Sequence, residues 1–131
     1  MDGNDDKQLP SSLCVLKNLK VVSFYGCSSL TKLPNFLQAP HLETLIVNNC
    51  TSLVEIHESI GCLKRLVKLS LTNCKNLKDL PRSICNLESL KTLIFSDCVG
   101  LDKLSEQLGS ITTLKYLVVM RIAINHLPAS I

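Results

Sequence analysis

The sequence predicts an α/β solenoid: a curved arc of stacked coils, with a parallel sheet on the concave face and short helices or helical turns on the convex face. Three observations predict it. Cysteine stands at Cys27, Cys50, Cys74 and Cys98, each eight residues after a leucine at Leu19, Leu42, Leu66 and Leu90, so the chain repeats every 23 or 24 residues. The first half of each unit alternates, as in Leu69, Ser70, Leu71, Thr72, which is the period of a strand with one buried face. The second half spaces Ile84, Leu87 and Leu90 by three, and Pro81 ahead of them suits the first position of a short helix or helical turn. Neighbouring strands pack about 4.8 Å apart and helical segments need more room, so the stack curves with the sheet inside.

Taken in order, a polar tail over residues 1–8 leads into a repeat domain over 9–131. A half unit, 9–18, supplies Leu9, Pro10, Leu13 and Leu16. Unit 19–41 turns Leu19, Val22, Phe24, Cys27, Leu30, Leu33 and Leu37 inward, and unit 42–65 follows with Leu42, Leu45, Val47, Cys50, Leu53, Ile56, Ile60 and Leu63. Units 66–89 and 90–113 keep the same offsets. The last unit, 114–131, puts Ile122 at the ladder position of the cysteines and reaches its Leu-Pro one residue early. Such agreement fits a leucine-rich repeat. Each fully buried large side chain contributes roughly 1.5 to 3 kcal/mol, so the stacked array can offset the ordering entropy where one coil could not. Ile131 falls at an inward position with no polar segment beyond it. We therefore expect an uncapped last coil and self-association of the isolated chain; sedimentation as a sharp monomer would count against this.

The net charge is +3, from 14 Lys and Arg against 11 Asp and Glu mixed along the chain, with only five aromatic residues. No basic run tracks phosphates and few rings could stack on bases, which argues against nucleic acid as a direct partner. The first ten residues, MDGNDDKQLP, are acidic and lack the apolar stretch of a secretory signal, and no segment reaches the length of a membrane span. A cytoplasmic or nuclear location is expected. The seven cysteines follow the repeat, and their odd number argues against a full set of bridges, so they read as reduced thiols. Cys27, Cys50, Cys74 and Cys98 should pack where the chain leaves each strand and hydrogen-bond the turn backbone weakly. Cys14 and Cys85 fall on the outer face, and Cys62 lies nearby in its own unit.

Strand alternation also identifies the side chains on the inner face. They are Val21, Ser23, Tyr25; Thr44, Ile46, Asn48; Lys68, Ser70, Thr72; Thr92, Ile94, Ser96; and Tyr116, Val118, Met120. Fourteen of these fifteen are uncharged, and the middle column carries three aliphatics, flanked by Tyr25, Tyr116 and Met120. Depletion of charge with Tyr and Met present suits a protein-binding face, although strand propensity alone also selects Val, Ile, Thr and Tyr. Charge collects instead at Lys32, Glu55, Lys64, Arg65, Lys75, Lys78, Asp79, Arg82 and Lys103, on turns and the outer wall, where solvation explains it.

Catalytic and metal-binding patterns are missing from the sequence. His41, His57 and His126 occupy different positions in their units and no CxxC pair accompanies them, which leaves a metal site unsupported. There is no glycine-rich phosphate loop and no GxSxG elbow, so neither catalysis nor a cofactor is expected.

The unit LVKLSLTNCKNLKDLPRSICNLESL, with its ladder cysteine, the leucine three residues later and the Leu-Pro, resembles the repeats of plant intracellular disease resistance proteins of the Toll/interleukin-receptor-type class. The last unit, LKYLVVMRIAINHLPASI, resembles the variant repeat of the same class. The resemblance covers Leu9 to Ile131 and implies a receptor regulated by ATP and ADP. Its repeats would recognise a pathogen effector or a guarded host protein and would hold the receptor's own nucleotide-binding domain inactive. The signalling and nucleotide-binding domains of that plan have no counterpart in these residues, which points to a fragment. Ras-group intracellular repeats share the Leu-Pro but favour asparagine on the ladder; a scaffold of that kind, or a truncated product without its own ligand, is the alternative.

Overall fold

The computed structural model describes residues 18–33, 35–36, 39–101 and 106–121. The tail, nearly all of the half unit with Cys14, and Lys103, Ile122, His126 and Ile131 lie outside these residues. Five strands of five residues recur at the repeat spacing: β1 (Val21–Tyr25), β2 (Thr44–Asn48), β3 (Lys68–Thr72), β4 (Thr92–Ser96) and β5 (Tyr116–Met120). They form one parallel sheet in chain order, with no slip of register. Ser23, Ile46, Ser70, Ile94 and Val118 therefore stand side by side.

The strands form because Val, Leu, Ile and Phe at alternate positions can all be buried on one face. In β2 and β4 the second and fourth residues, Leu45, Val47, Leu93 and Phe95, are wholly shielded from solvent. They meet Leu42, Leu53, Ile60, Leu63, Leu66, Leu77, Ile84 and Leu90 in a single core that runs the length of the stack. Phe36 also enters this core in the first unit, and its amide donates to Ser59 Oγ of the following coil at 2.9 Å; Leu37, expected inward, lies outside the described residues. Opposite the sheet run three short 3₁₀ helices, Glu58–Cys62, Arg82–Asn86 and Glu106–Ser110. Pro81 is not the first residue of its helix, as the sequence suggested, but the capping residue before it, in extended backbone with φ −65° and ψ 148°. In the preceding coil His57 occupies that place, and its Nδ1 accepts the amide of Ser59 at 3.0 Å, a cap that proline cannot supply.

Each strand ends in one residue with left-handed backbone. These are Gly26, Asn49, Asn73, Asp97 and Arg121, with φ between 50° and 68°. Gly, Asn and Asp tolerate this region and arginine does so less readily. The reversal aims the amides of Gly26, Asn49, Asn73 and Asp97 at the last strand carbonyl of the next coil, at 2.8 to 2.9 Å. Immediately after it comes the ladder cysteine, buried in all four coils. Cys50, Cys74 and Cys98 each hold two carbonyls, that of the residue two before and that of the fourth strand residue of the preceding coil, at 3.5 to 4.0 Å. The expected weak hydrogen bonds thus tie one coil to its neighbour as well as closing the turn.

Candidate protein-binding face

The fifteen inner-face positions do lie together, on the side of the sheet away from the core, because the in-phase register carries every odd strand residue to the same side. They are unequally exposed. At the ends of the sheet Val21, Tyr25, Tyr116 and Met120 are 58, 53, 63 and 45% exposed. In the middle Thr44, Ile46, Asn48, Lys68, Thr72, Thr92, Ile94 and Ser96 are half-buried by their neighbours, while Ser23 and Val118 are open. Ser70 departs from the sequence expectation of an exposed site. Flanked by the larger Ile46 and Ile94 in register, its short side chain is only 8% exposed and forms the floor of a notch between two aliphatic walls.

Two polar rows at the margins of this face escaped sequence reasoning. One is the left-handed row itself, where Asn73 Nδ2 donates to Asn49 Oδ1 at 2.7 Å and the Arg121 guanidinium makes a forked pair with Asp97, Nη2 lying 3.0 Å from Oδ2. Arginine beside it holds the Asp97 carboxyl below its ordinary range. The sequence signal was available: Gly, Asn, Asn and Asp precede the four ladder cysteines. The other row precedes the strands and is joined by backbone hydrogen bonds, from Glu43 to Lys20, Val67 to Glu43, Lys91 to Val67 and Lys115 to Lys91, at 2.7 to 2.9 Å.

Charges on the far side behave as solvated groups. Lys32 pairs with Glu55 at 3.2 Å and Lys64 with Glu88 at 3.5 Å, each bridging successive coils at exposed positions. Such pairs contribute little to stability. His41 and His57 do not converge with other ligands, and among the described residues no group of three His, Cys, Asp or Glu could hold a metal ion. Of the six described cysteines four are buried, Cys85 is half-buried and Cys62 is exposed. No described helix is long and apolar enough to cross a membrane.

Comparison with known proteins places this architecture. No family model matches the chain. It is 36% identical over 69 residues to Protein SUPPRESSOR OF npr1-1, CONSTITUTIVE 1 of Arabidopsis thaliana, a match covering 53% of this chain and 5% of that protein. Disease resistance protein RPV1 of Vitis rotundifolia is 40% identical over 59 residues, covering 45% of this chain and 4% of the relative. TMV resistance protein N of Nicotiana glutinosa is 34% identical over 56 residues, covering 43% and 5%. The matches thus span about half of this chain and no more than 5% of these relatives. In three dimensions it is similar to the leucine-rich repeat domain of the type III effector XopL, with a TM-score of 0.56 at 22% identity, covering 86% of this chain and 57% of that domain's chain. The fold is a leucine-rich repeat solenoid, and about half of the chain is similar in sequence to plant disease resistance proteins.

Proposed function

We propose that this chain is a non-catalytic protein-recognition module of a plant innate immune receptor. Its inner face would bind a pathogen effector, a guarded host protein or the nucleotide-binding domain of its own receptor, and the last of these contacts would serve autoinhibition in the cytoplasm or nucleus. The observation that supports this most is the inner face itself. Fourteen of its fifteen residues are uncharged, and Val21, Tyr25, Tyr116, Val118 and Met120 stay in solvent although the core beneath is filled. Apolar and aromatic side chains left exposed on one face are what a protein interface uses. The resistance-type repeats supply the biological setting as a likeness to the matched proteins.

The test is the double substitution Ile46→Asp with Ile94→Asp, which places two carboxylates on the walls of the Ser70 notch and leaves the core residues untouched. Cross-linking of the bound partner should map to β2–β4, and the double variant should lose the partner while its circular dichroism stays that of the parent. A partner retained by a folded double variant would refute recognition through this face.

A further inference from the structure

Resting on that reading, we infer that the partner of the inner face is a protein segment carrying carboxylates beside apolar side chains, and that it docks on the β3–β5 half of the sheet. The row preceding the strands reads Lys20, Glu43, Val67, Lys91, Lys115 across the sheet, held in line by the backbone hydrogen bonds described above. Its only carboxylate lies at β2. Over the last three coils the row carries Lys91 and Lys115 on adjacent strands, and Lys68, the one charge on the inner face, stands in register with Thr92, next to Lys91. Strand spacing puts Lys91 and Lys115 about 5 Å apart at the backbone, close enough for one ligand to meet both.

Among the described residues Lys91 and Lys115 form no ion pair. The ion pairs among the described residues are Lys32 with Glu55, Lys64 with Glu88 and Arg121 with Asp97, none of which involves this row. Lys91 and Lys115 are exposed; Lys68 is half-buried between Thr44 and Thr92, with Glu43 just before the first and Lys91 just before the second. Lys91 and Lys115, held on adjacent strands with no ion pair among the described residues, repel one another, and an incoming carboxylate relieves that repulsion. The apolar part of the same half is Tyr116, directly after Lys115, and the pair Ile94 and Val118, three residues along the strands from Lys91 and Lys115, or about 10 Å. A segment with carboxylates at one end and apolar side chains from there to about 10 Å away fits both features. In the β1–β2 half Glu43 follows Lys20 in the row, so no two lysines of the row are adjacent there.

The probe is a phage library of random dodecapeptides selected on the immobilised 131-residue chain, with recovered peptides measured by fluorescence anisotropy. Recovered sequences should be rich in Asp and Glu interspersed with Leu, Phe or Trp. Their affinity should fall more than about tenfold in Lys91→Glu with Lys115→Glu and weaken as salt is raised. Peptides resynthesised with lysine for glutamate should regain binding to that double variant, which a merely misfolded protein could not produce. Peptides without acidic enrichment, lost on Ile46→Asp with Ile94→Asp but indifferent to the lysine substitutions, would overturn this inference and leave the proposed function standing. Failure to recover any peptide, or binding indifferent to both pairs of substitutions, would overturn both.

Discussion

At the scale of single residues, the ladder cysteines show how one side chain can serve two coils. Cys50, Cys74 and Cys98 are each small enough for the tight turn, apolar enough to be buried, and still able to donate a weak hydrogen bond to the coil before. Burial pushes the Cys50 thiol from the ordinary 9.0 up to about 11, and the adjoining Cys98 thiol, reinforced by burial, pushes Cys74 up. A thiol whose folded pKa exceeds its unfolded value contributes stability that is complete below the unfolded value and fades as pH rises through the folded one. The melting temperature should therefore fall between pH 9.0 and about 11, less steeply in Cys50→Ala, as followed by circular dichroism across that range. Labelling should separate the thiols as well. With an aromatic disulfide reagent, Cys62 and Cys85 should react in the native protein, whereas Cys27, Cys50, Cys74 and Cys98 should become reactive only on unfolding. Rapid labelling of the ladder thiols in folded protein would refute their structural role.

Turns are the element on which the stack depends, since every coil must return to the same register. Gly100 sits in the turn after Cys98, where an added Cβ would lie 2.4 Å from the carbonyl oxygen of Lys75 in the coil before. Backbone cannot retreat from such a contact without disturbing the sheet beside it. Gly100→Ala should thus cost about 1 to 3 kcal/mol in urea unfolding, and an unchanged midpoint would show that the turn gives way freely. Asn73 offers a second check at this scale. Its left-handed backbone and its bond to Asn49 are both lost or strained in Asn73→Ala, so that variant should be destabilised by roughly 1 to 3 kcal/mol.

For the whole molecule, stability is a sum over coils and the contacts between neighbours. β3 is paired on both sides, and Leu69 and Leu71 are wholly buried. On β5, by contrast, Leu117 and Val119 are only partly buried, although they occupy the same places in the repeat as Leu93 and Phe95. Native-state hydrogen exchange should find the amides of Leu69 and Leu71 better protected than those of Leu117 and Val119; equal protection would mean the array opens as one unit. Truncating Phe95, which is fully buried between β3 and β5, should cost about 3 to 5 kcal/mol.

The sequence by itself determined the period, the strand positions, the cysteine ladder and the side of the sheet on which each residue stands. Those properties depend on spacing along the chain, and spacing is read directly from Leu19, Cys27 and their repeats. Legibility failed where distance between coils mattered. Ser70 looked exposed because its parity is odd, yet Ile46 and Ile94 overhang it, and only the lateral register brings them there. The spacing alone puts Pro81 one residue too far into its helix, because element boundaries depend on cap backbone rather than on composition. Lys68, Lys91 and Lys115 look dispersed in a chain where charges of both signs alternate. Tertiary structure alone decided that they gather at one margin of the β3–β5 sheet, because residues 23 to 24 apart in sequence become neighbours across parallel strands.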